Sequence, residues 1–174
     1  LANTMPPQEV IRLLTDYQAR FGPVVRAHGG VIDKYLGDGI MASFGAARPS
    51  ETYAADAVGA LEACMAAAAR WRQEREAAGL TPIEVVGAIG GGQVIFGAVG
   101  DAARLEMTVI GDAVNLAAKL EKATRAAGRP ALVAADLFET ALAQGFRPTR
   151  PIVRLPAMRI DGVSRPIDLV ALAV

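Results

Sequence analysis

The stretch Gly29-Gly30-Val31-Ile32-Asp33-Lys34-Tyr35-Leu36-Gly37-Asp38-Gly39-Ile40-Met41-Ala42-Ser43-Phe44-Gly45 sets two β-rich runs, 31–36 and 40–44, on either side of Gly-Asp-Gly. Asp-Gly between apolar runs is a strong short-range hairpin signal. The glycine pair at 29 and 30 stops the segment before it. Upstream, Pro6-Pro7 suits a first helical turn. Val10, Leu13, Leu14, Tyr17 and Phe21 then recur at helical spacing. Pro23 is expected to interrupt this helix, which resumes as far as His28.

Downstream, residues 51–78 are alanine-rich and end at Gly79, which predicts a long helix. Residues 83–89 read as a strand that Gly90-Gly91-Gly92 breaks or bulges. Residues 93–99 and 105–110 read as further strands. Gly111-Asp112 opens a helix to about residue 127, with Asp112 in reach of an N-cap role. A short strand at 131–134, a short helix at 136–143, and strands around 152–155 and 167–172 follow, the tail punctuated by Pro148, Pro151, Pro156 and Pro166. Hairpins mixed with helices, without strict strand–helix alternation, predict an α+β sandwich on a largely antiparallel sheet.

The 174 residues amount to one domain, 1–174, long enough to bury a core. Eighteen lysines and arginines balance eighteen aspartates and glutamates, so net charge supports neither a nucleic-acid stripe nor a basic membrane arm. Cys64 is the only cysteine, which excludes an intrachain disulfide and a cysteine-based zinc site and suits a reducing cytoplasm. No apolar run reaches the ~18 residues of a spanning helix. The chain starts at Leu1 without a basic or apolar leader, which suggests that it begins inside a longer one. His28 is the only histidine, so paired-histidine metal motifs are absent, and no Gly-x-Ser-x-Gly elbow exists.

Two segments have the residue types for chemistry. In Lys34-Tyr35-Leu36-Gly37-Asp38-Gly39, an aspartate at a hairpin tip keeps a carboxylate free for a hard cation, and a lysine four residues back can reach a ligand lying along the sheet. The turn alone also explains Asp-Gly. In Thr108-Val109-Ile110-Gly111-Asp112-Ala113-Val114-Asn115-Leu116-Ala117-Ala118-Lys119, a strand enters a glycine turn and becomes a helix. Asn115 and Lys119 then share one face near the positive helix end, suited to ribose and phosphate. A plain solvated face is the simpler account of that spacing. Gly90-Gly91-Gly92 is not followed by a helix or by Gly-Lys-Ser/Thr, so these glycines read as structural. Cys64, Trp71, Phe96 and Phe138 read as core or interface.

Together the two segments resemble the class III adenylate/guanylate cyclase family. Residues 29–45 are similar to its metal-binding hairpin, and residues 106–121, Glu106 to Glu121, are similar to its second signature. Gly97-Ala98-Val99-Gly100 with Arg104 also fits. The resemblance covers nearly the whole chain. It implies a ferredoxin-like α+β sandwich, a head-to-tail homodimer with active sites between the domains, and two magnesium or manganese ions per site. The implied reaction turns a nucleoside triphosphate into a 3′,5′-cyclic monophosphate and pyrophosphate by in-line attack of the 3′-hydroxyl.

Carried over position by position, the resemblance implies that Asp38 is one of two metal aspartates. Lys34 and Thr108 are the purine-reading pair, and Asn115 orients the ribose. Lysine donates to adenine ring nitrogens and a threonine hydroxyl accepts from the adenine amino group. Guanylate cyclases usually carry glutamate and cysteine there, so the pair implies ATP. The threonine type includes bicarbonate-responsive members. In the dimer, Asp38 would come from one chain, and Lys34, Thr108, Asn115 and Lys119 from the other.

There are two departures from the family pattern. Position 119 holds lysine where the family has its transition-state arginine, which keeps the charge but loses the planar fork. Arg125 offers weak compensation. The family's first strand, with Phe-x-Asp and the second metal aspartate, would end just before Leu1, so the domain is expected to be N-terminally incomplete here. The alternatives are a degenerate cyclase-homology domain with a regulatory role, a guanylate cyclase, and more distantly a diguanylate cyclase. A sensor or membrane domain upstream is compatible with all of them. Arg147, Arg150 and Arg154 are equivalent candidates for a triphosphate clamp.

Overall fold

The computed structural model describes residues 6–101, 103 and 105–173. Helix α1 (Pro7–Ala27) opens on proline at its first turn, where the missing N–H is not needed. It runs straight through Pro23 instead of being interrupted there. That proline deprives the carbonyl of Ala19, which lies on an exposed position where water can bond it. His28 closes the helix, its Nδ1–H donating to the Val24 carbonyl at 2.9 Å.

Strands β1 (Val31–Tyr35) and β2 (Ile40–Ser43) form the expected antiparallel hairpin. The Leu36 N–H donates to the Gly39 carbonyl at 2.8 Å, and the left-handed residue of the turn is Gly37, φ 66°. The turn's demand for glycine thus falls before the aspartate rather than after it. The ladder has one irregularity: Val31 faces Ser43 and Ile32 faces Ala42, but Lys34 faces Met41 and Tyr35 faces Ile40. Asp33 is the extra residue of a β-bulge.

Helix α2 (Tyr53–Ala77) is followed by β3 (Gly87–Ile89), which is shorter than the sequence suggests. Ile83 and Val85 pack on the core outside that strand. Strands β4 (Ile95–Gly100) and β5 (Leu105–Ile110) make a second hairpin. Next come α3 (Asp112–Ala126), β6 (Ala131–Ala134), α4 (Ala135–Ala143), β7 (Ile152–Met158) and β8 (Ile167–Leu172). The main sheet has the order β3-β6-β8-β7, with β3–β6 parallel and the other pairs antiparallel. Among the described residues, four helices and mainly antiparallel pairing give the α+β architecture that the element order implied.

Asp112 does not cap α3. Gly111 holds the N-cap position and no side chain bonds there. A Cβ on Gly111 would lie 2.7 Å from the Gln93 carbonyl oxygen, so glycine is required by close approach. Gly90 is equally constrained: a Cβ would meet the Ala113 carbonyl at 2.7 Å and the Ala117 nitrogen at 2.9 Å. The glycines after β3 are therefore structural, as read.

The core lies where α2, α3 and α4 cover the main sheet. Leu120, Leu132, Val133, Phe138 and Val170 are fully buried there. Helix α2 is buried on two sides, which explains its weakly segregated alanine-rich pattern. Val58, Leu61 and Met65 join the main cluster, while Ala67, Ala68 and Trp71 join a second one with Phe21 of α1. Phe21 meets Trp71 edge-on at 6.1 Å. No described helix is long and apolar enough to cross a membrane.

Phe138 is fully buried and edge-on to Phe146 at 6.0 Å. Phe138→Ala is expected to cost about 3–5 kcal/mol of stability, through lost transfer energy and the cavity left behind, as read by denaturant unfolding.

Candidate functional site

The sequence singled out five residues on three elements and one turn: Lys34 on β1, Asp38 in the β1–β2 turn, Thr108 on β5, and Asn115 and Lys119 on α3. The structure brings Lys34 to β5. Its Nζ lies 3.3 Å from Glu106 Oε1, an ion pair between the two hairpins. Glu106 and Thr108 are two residues apart on β5, so they project from the same face, about 7 Å apart along the strand. An ammonium, a carboxylate and a hydroxyl thus converge on one surface. Lys34 and Thr108 are half-buried and Glu106 is exposed. The ion pair itself is worth little stability at that exposure, on the order of 0–1 kcal/mol. Its value is directional, because it fixes where a flexible lysine points.

Asp38 is exposed at the hairpin tip and makes no hydrogen bond or ion pair with a described residue. Among the described residues no group of three or more His, Cys, Asp or Glu side chains is placed to hold a metal ion. A single free carboxylate fits magnesium all the same. That ion keeps several waters and is commonly held by one or two carboxylates together with substrate phosphates.

Asn115 is exposed one turn into α3. Lys119, on the same face, donates from Nζ to the carbonyl oxygen of Gly162 in the β7–β8 turn. A Cβ on Gly162, φ 72°, would press on the Lys119 side chain at 3.2 Å. The lysine is therefore engaged with that turn. Arg125 is exposed in the last turn of α3.

The three tail arginines point elsewhere. Arg147 donates to the carbonyls of Leu142 and Phe146, and Arg154 pairs with Glu139 at 2.7 Å. Arg147 and Arg150 line an open cleft of about 410 Å³ with His28, Glu62 and Thr149, which includes none of the five site residues. Arg104 lies outside the described residues. Cys64 is half-buried, and burial pushes its thiol up to about 11, so it is protonated and unreactive at neutral pH.

Sequence reasoning missed three contributors. Glu106 was quoted only as part of a signature; its partner is set by the packing of one hairpin on another. Tyr17 of α1 packs on Phe21 with ring centroids 4.7 Å apart, and its phenol is pushed up to about 12, by burial first and then by Cys64 and Asp38. Tyr17 and Ile40 pack on the same Phe21–Trp71 cluster, which sets that phenol beside the hairpin that carries Asp38. Asp33 accepts from the Ser43 hydroxyl at 3.2 Å through Oδ1, while its Oδ2 is buried without a hydrogen-bond partner among the described residues. Burial raises the Asp33 pKa above its ordinary 3.8, against smaller opposing effects of Ser43 and the Lys34 charge.

The model of the adenylate and guanylate cyclase catalytic domain matches residues 1–131. An adenylate cyclase of Anabaena cylindrica is 37% identical over 132 residues, 74% of this chain and 25% of that protein. Adenylate cyclase 1 of Rhizobium meliloti is 32% identical over 115 residues, 66% of this chain and 17% of that protein. The chain thus spans a quarter or less of these curated relatives. Among solved structures, the guanylyl cyclase Cya2 superposes with a TM-score of 0.81 at 27% identity, covering 99% of this chain and 84% of that one. The adenylyl cyclase CyaB of P. aeruginosa has the same fold, with a TM-score of 0.78 at 23% identity, covering 99% and 86%.

Because the Asp33 pKa is raised by folding, its protonated form favours the native state. Its contribution to stability is complete below about pH 3.8 and is lost as pH rises through the raised value. Asp33→Asn removes this dependence. Thermal melts at a series of pH values are expected to show the variant gaining on the wild type as pH rises through the carboxylate range, then holding a constant difference.

Proposed function

Since this chain belongs to the adenylate and guanylate cyclase catalytic-domain family, we propose that it makes 3′,5′-cyclic AMP and pyrophosphate from ATP. The convergence of Lys34, Glu106 and Thr108 on one surface carries this reading. An ammonium there donates to a ring nitrogen of adenine, and the threonine hydroxyl accepts from the 6-amino group. Guanine carries an N–H at the ring nitrogen where adenine presents an acceptor, so a donor-only ammonium there disfavours it. The Glu106 carboxylate aims Lys34.

In this reading Asn115 holds the ribose, so that its 3′-hydroxyl is in line with the α-phosphorus. Lys119 adds positive charge beside the phosphates as they gain negative charge in the transition state. Reaching them requires it to leave the Gly162 carbonyl. Members of the family use divalent metals, and magnesium or manganese, expected as two ions per site, neutralises phosphate charge and acidifies the attacking hydroxyl when bound. Asp38 is the residue on this chain that would hold it.

The partner in the reading is a second copy of this chain. Ile95, Val99, Leu105, Met107 and Ile110 on the β4–β5 hairpin, with Leu36 at the first hairpin's tip, leave large apolar side chains in water, Ile95 at 73% and Leu105 at 72% exposure. A concentration of this kind marks an association surface. Across such an interface Asp38 of one copy would complete the Lys34, Thr108, Asn115 and Lys119 set of the other. A second reading, a nucleotide-binding domain with little turnover, is favoured by the engagement of Lys119 with Gly162.

Cyclic nucleotide formation from ATP and from GTP, with magnesium or manganese, tests the proposal in the full natural protein. Asp38→Ala is expected to remove activity with either metal. Activity retained in this variant would sink the metal assignment, and a folded dimeric wild type that is inactive with both nucleotides would support the second reading. Lys119→Ala should lower kcat by about 10²–10³-fold with a smaller effect on KM, the pattern of a group acting in the transition state. Ile95→Glu should shift the protein from dimer to monomer in sedimentation and abolish turnover.

A further inference from the structure

Lys34 meets Glu106 only because it projects from the face of the first hairpin that looks towards β5. Regular strand pairing would put it on the other face. Side chains alternate along a strand, and the register begun by Val31–Ser43 and Ile32–Ala42 would continue to pair Lys34 with Ile40. Ile40 packs on the Phe21–Trp71 cluster beneath α1 and α2. A lysine sharing that face would be driven against the helices. The extra residue at Asp33 advances the register by one, so Lys34 instead pairs with Met41 and shares the face of Ser43.

The bulge has a visible tie. Ser43 belongs to the register before the bulge and Asp33 sits within it, and the Ser43 hydroxyl donates to Asp33 Oδ1 at 3.2 Å. The other carboxylate oxygen is buried with no hydrogen-bond partner among the described residues. That unmet need is a local cost, accepted at a position where the geometry serves the site.

We propose that Asp33 is a positioning residue: by accepting from Ser43 it holds the bulge that turns Lys34 to the purine side, and so sets ATP affinity and the preference for ATP over GTP. This rests on the purine-reading role of Lys34 argued above. Asp33 itself touches no reacting atom.

The test is the kcat and KM for ATP and GTP of the full natural protein and of Asp33→Ala, Asp33→Asn, Ser43→Ala and Lys34→Glu, each checked for native circular dichroism. Asp33→Ala should raise KM for ATP by about tenfold, the effect of losing one charge-assisted hydrogen bond. It should also lower the ATP-over-GTP ratio and change kcat less. Asp33→Asn, which keeps an acceptor for Ser43, should restore both. If Asp33→Ala does not fold, Ser43→Ala removes only the donor and should give the same KM shift to a smaller degree. The proposal is overturned if both alanine variants fold and keep the wild-type KM and base preference while Lys34→Glu alters them. If Lys34→Glu also leaves base preference unchanged, the purine reading itself has failed.

Discussion

Helix α3 lies so close to the end of β3 that no side chain fits between them. A Cβ on Gly90 would overlap the backbone of Ala113 and Ala117, and one on Gly111 would overlap the backbone of Gln93. This backbone-to-backbone contact fixes the helix on the sheet with no flexible spacer. Much of the remaining arrangement follows from it. Leu120 is driven fully into the core, and Asn115 and Lys119 stand on the outward side. Strand β5, which runs directly into the helix through Gly111, is set with Thr108 and Glu106 at a fixed distance from the helix start. A larger residue at either glycine would shift α3 and every group referred to it.

Lys34, Asp38, Glu106 and Thr108, by contrast, sit on the least supported part of the fold. The two hairpins β1–β2 and β4–β5 share no ladder bonds with the four-stranded sheet among the described residues. They are held by side chains: Ile40 and Tyr17 against the Phe21–Trp71 cluster, Val109 buried under β5, and the Lys34–Glu106 pair between them. Strands of this kind can shift relative to a rigid sheet at low cost. That suits a surface whose apolar side chains are incompletely covered in one copy of the chain.

The parts of the molecule that were legible in the sequence are those written in local pattern. The hairpin around Asp38, the strand-turn-helix from Thr108 to Lys119, and the structural role of the glycines after β3 could all be read from spacing and turn chemistry. The illegible parts depend on parity or on tertiary contact. Whether Lys34 faces the helices or β5 turns on a single inserted residue, and nothing in the alternation of Val31 to Tyr35 announces it. Glu106 finds its partner on another hairpin, and Lys119 finds its partner on a turn 43 residues away. The passage of α1 through Pro23 depended on whether the deprived carbonyl faces water, which only the packed helix reveals.

Strand β7 lies at one end of the main sheet, with β8 on its inner side. Midway along it, Pro156 lacks an N–H, Ala157 turns into the left-handed region at φ 52°, and the register slips between Leu155 and Met158. The Ala157 N–H is occupied by the Asp168 carboxylate at 2.8 Å. The outer rim of the sheet therefore offers no continuous row of donors and acceptors to a strand from another molecule. Edge-to-edge polymerisation, a standing hazard for a protein that exposes apolar side chains elsewhere, is blocked at that rim by a proline and one kinked alanine.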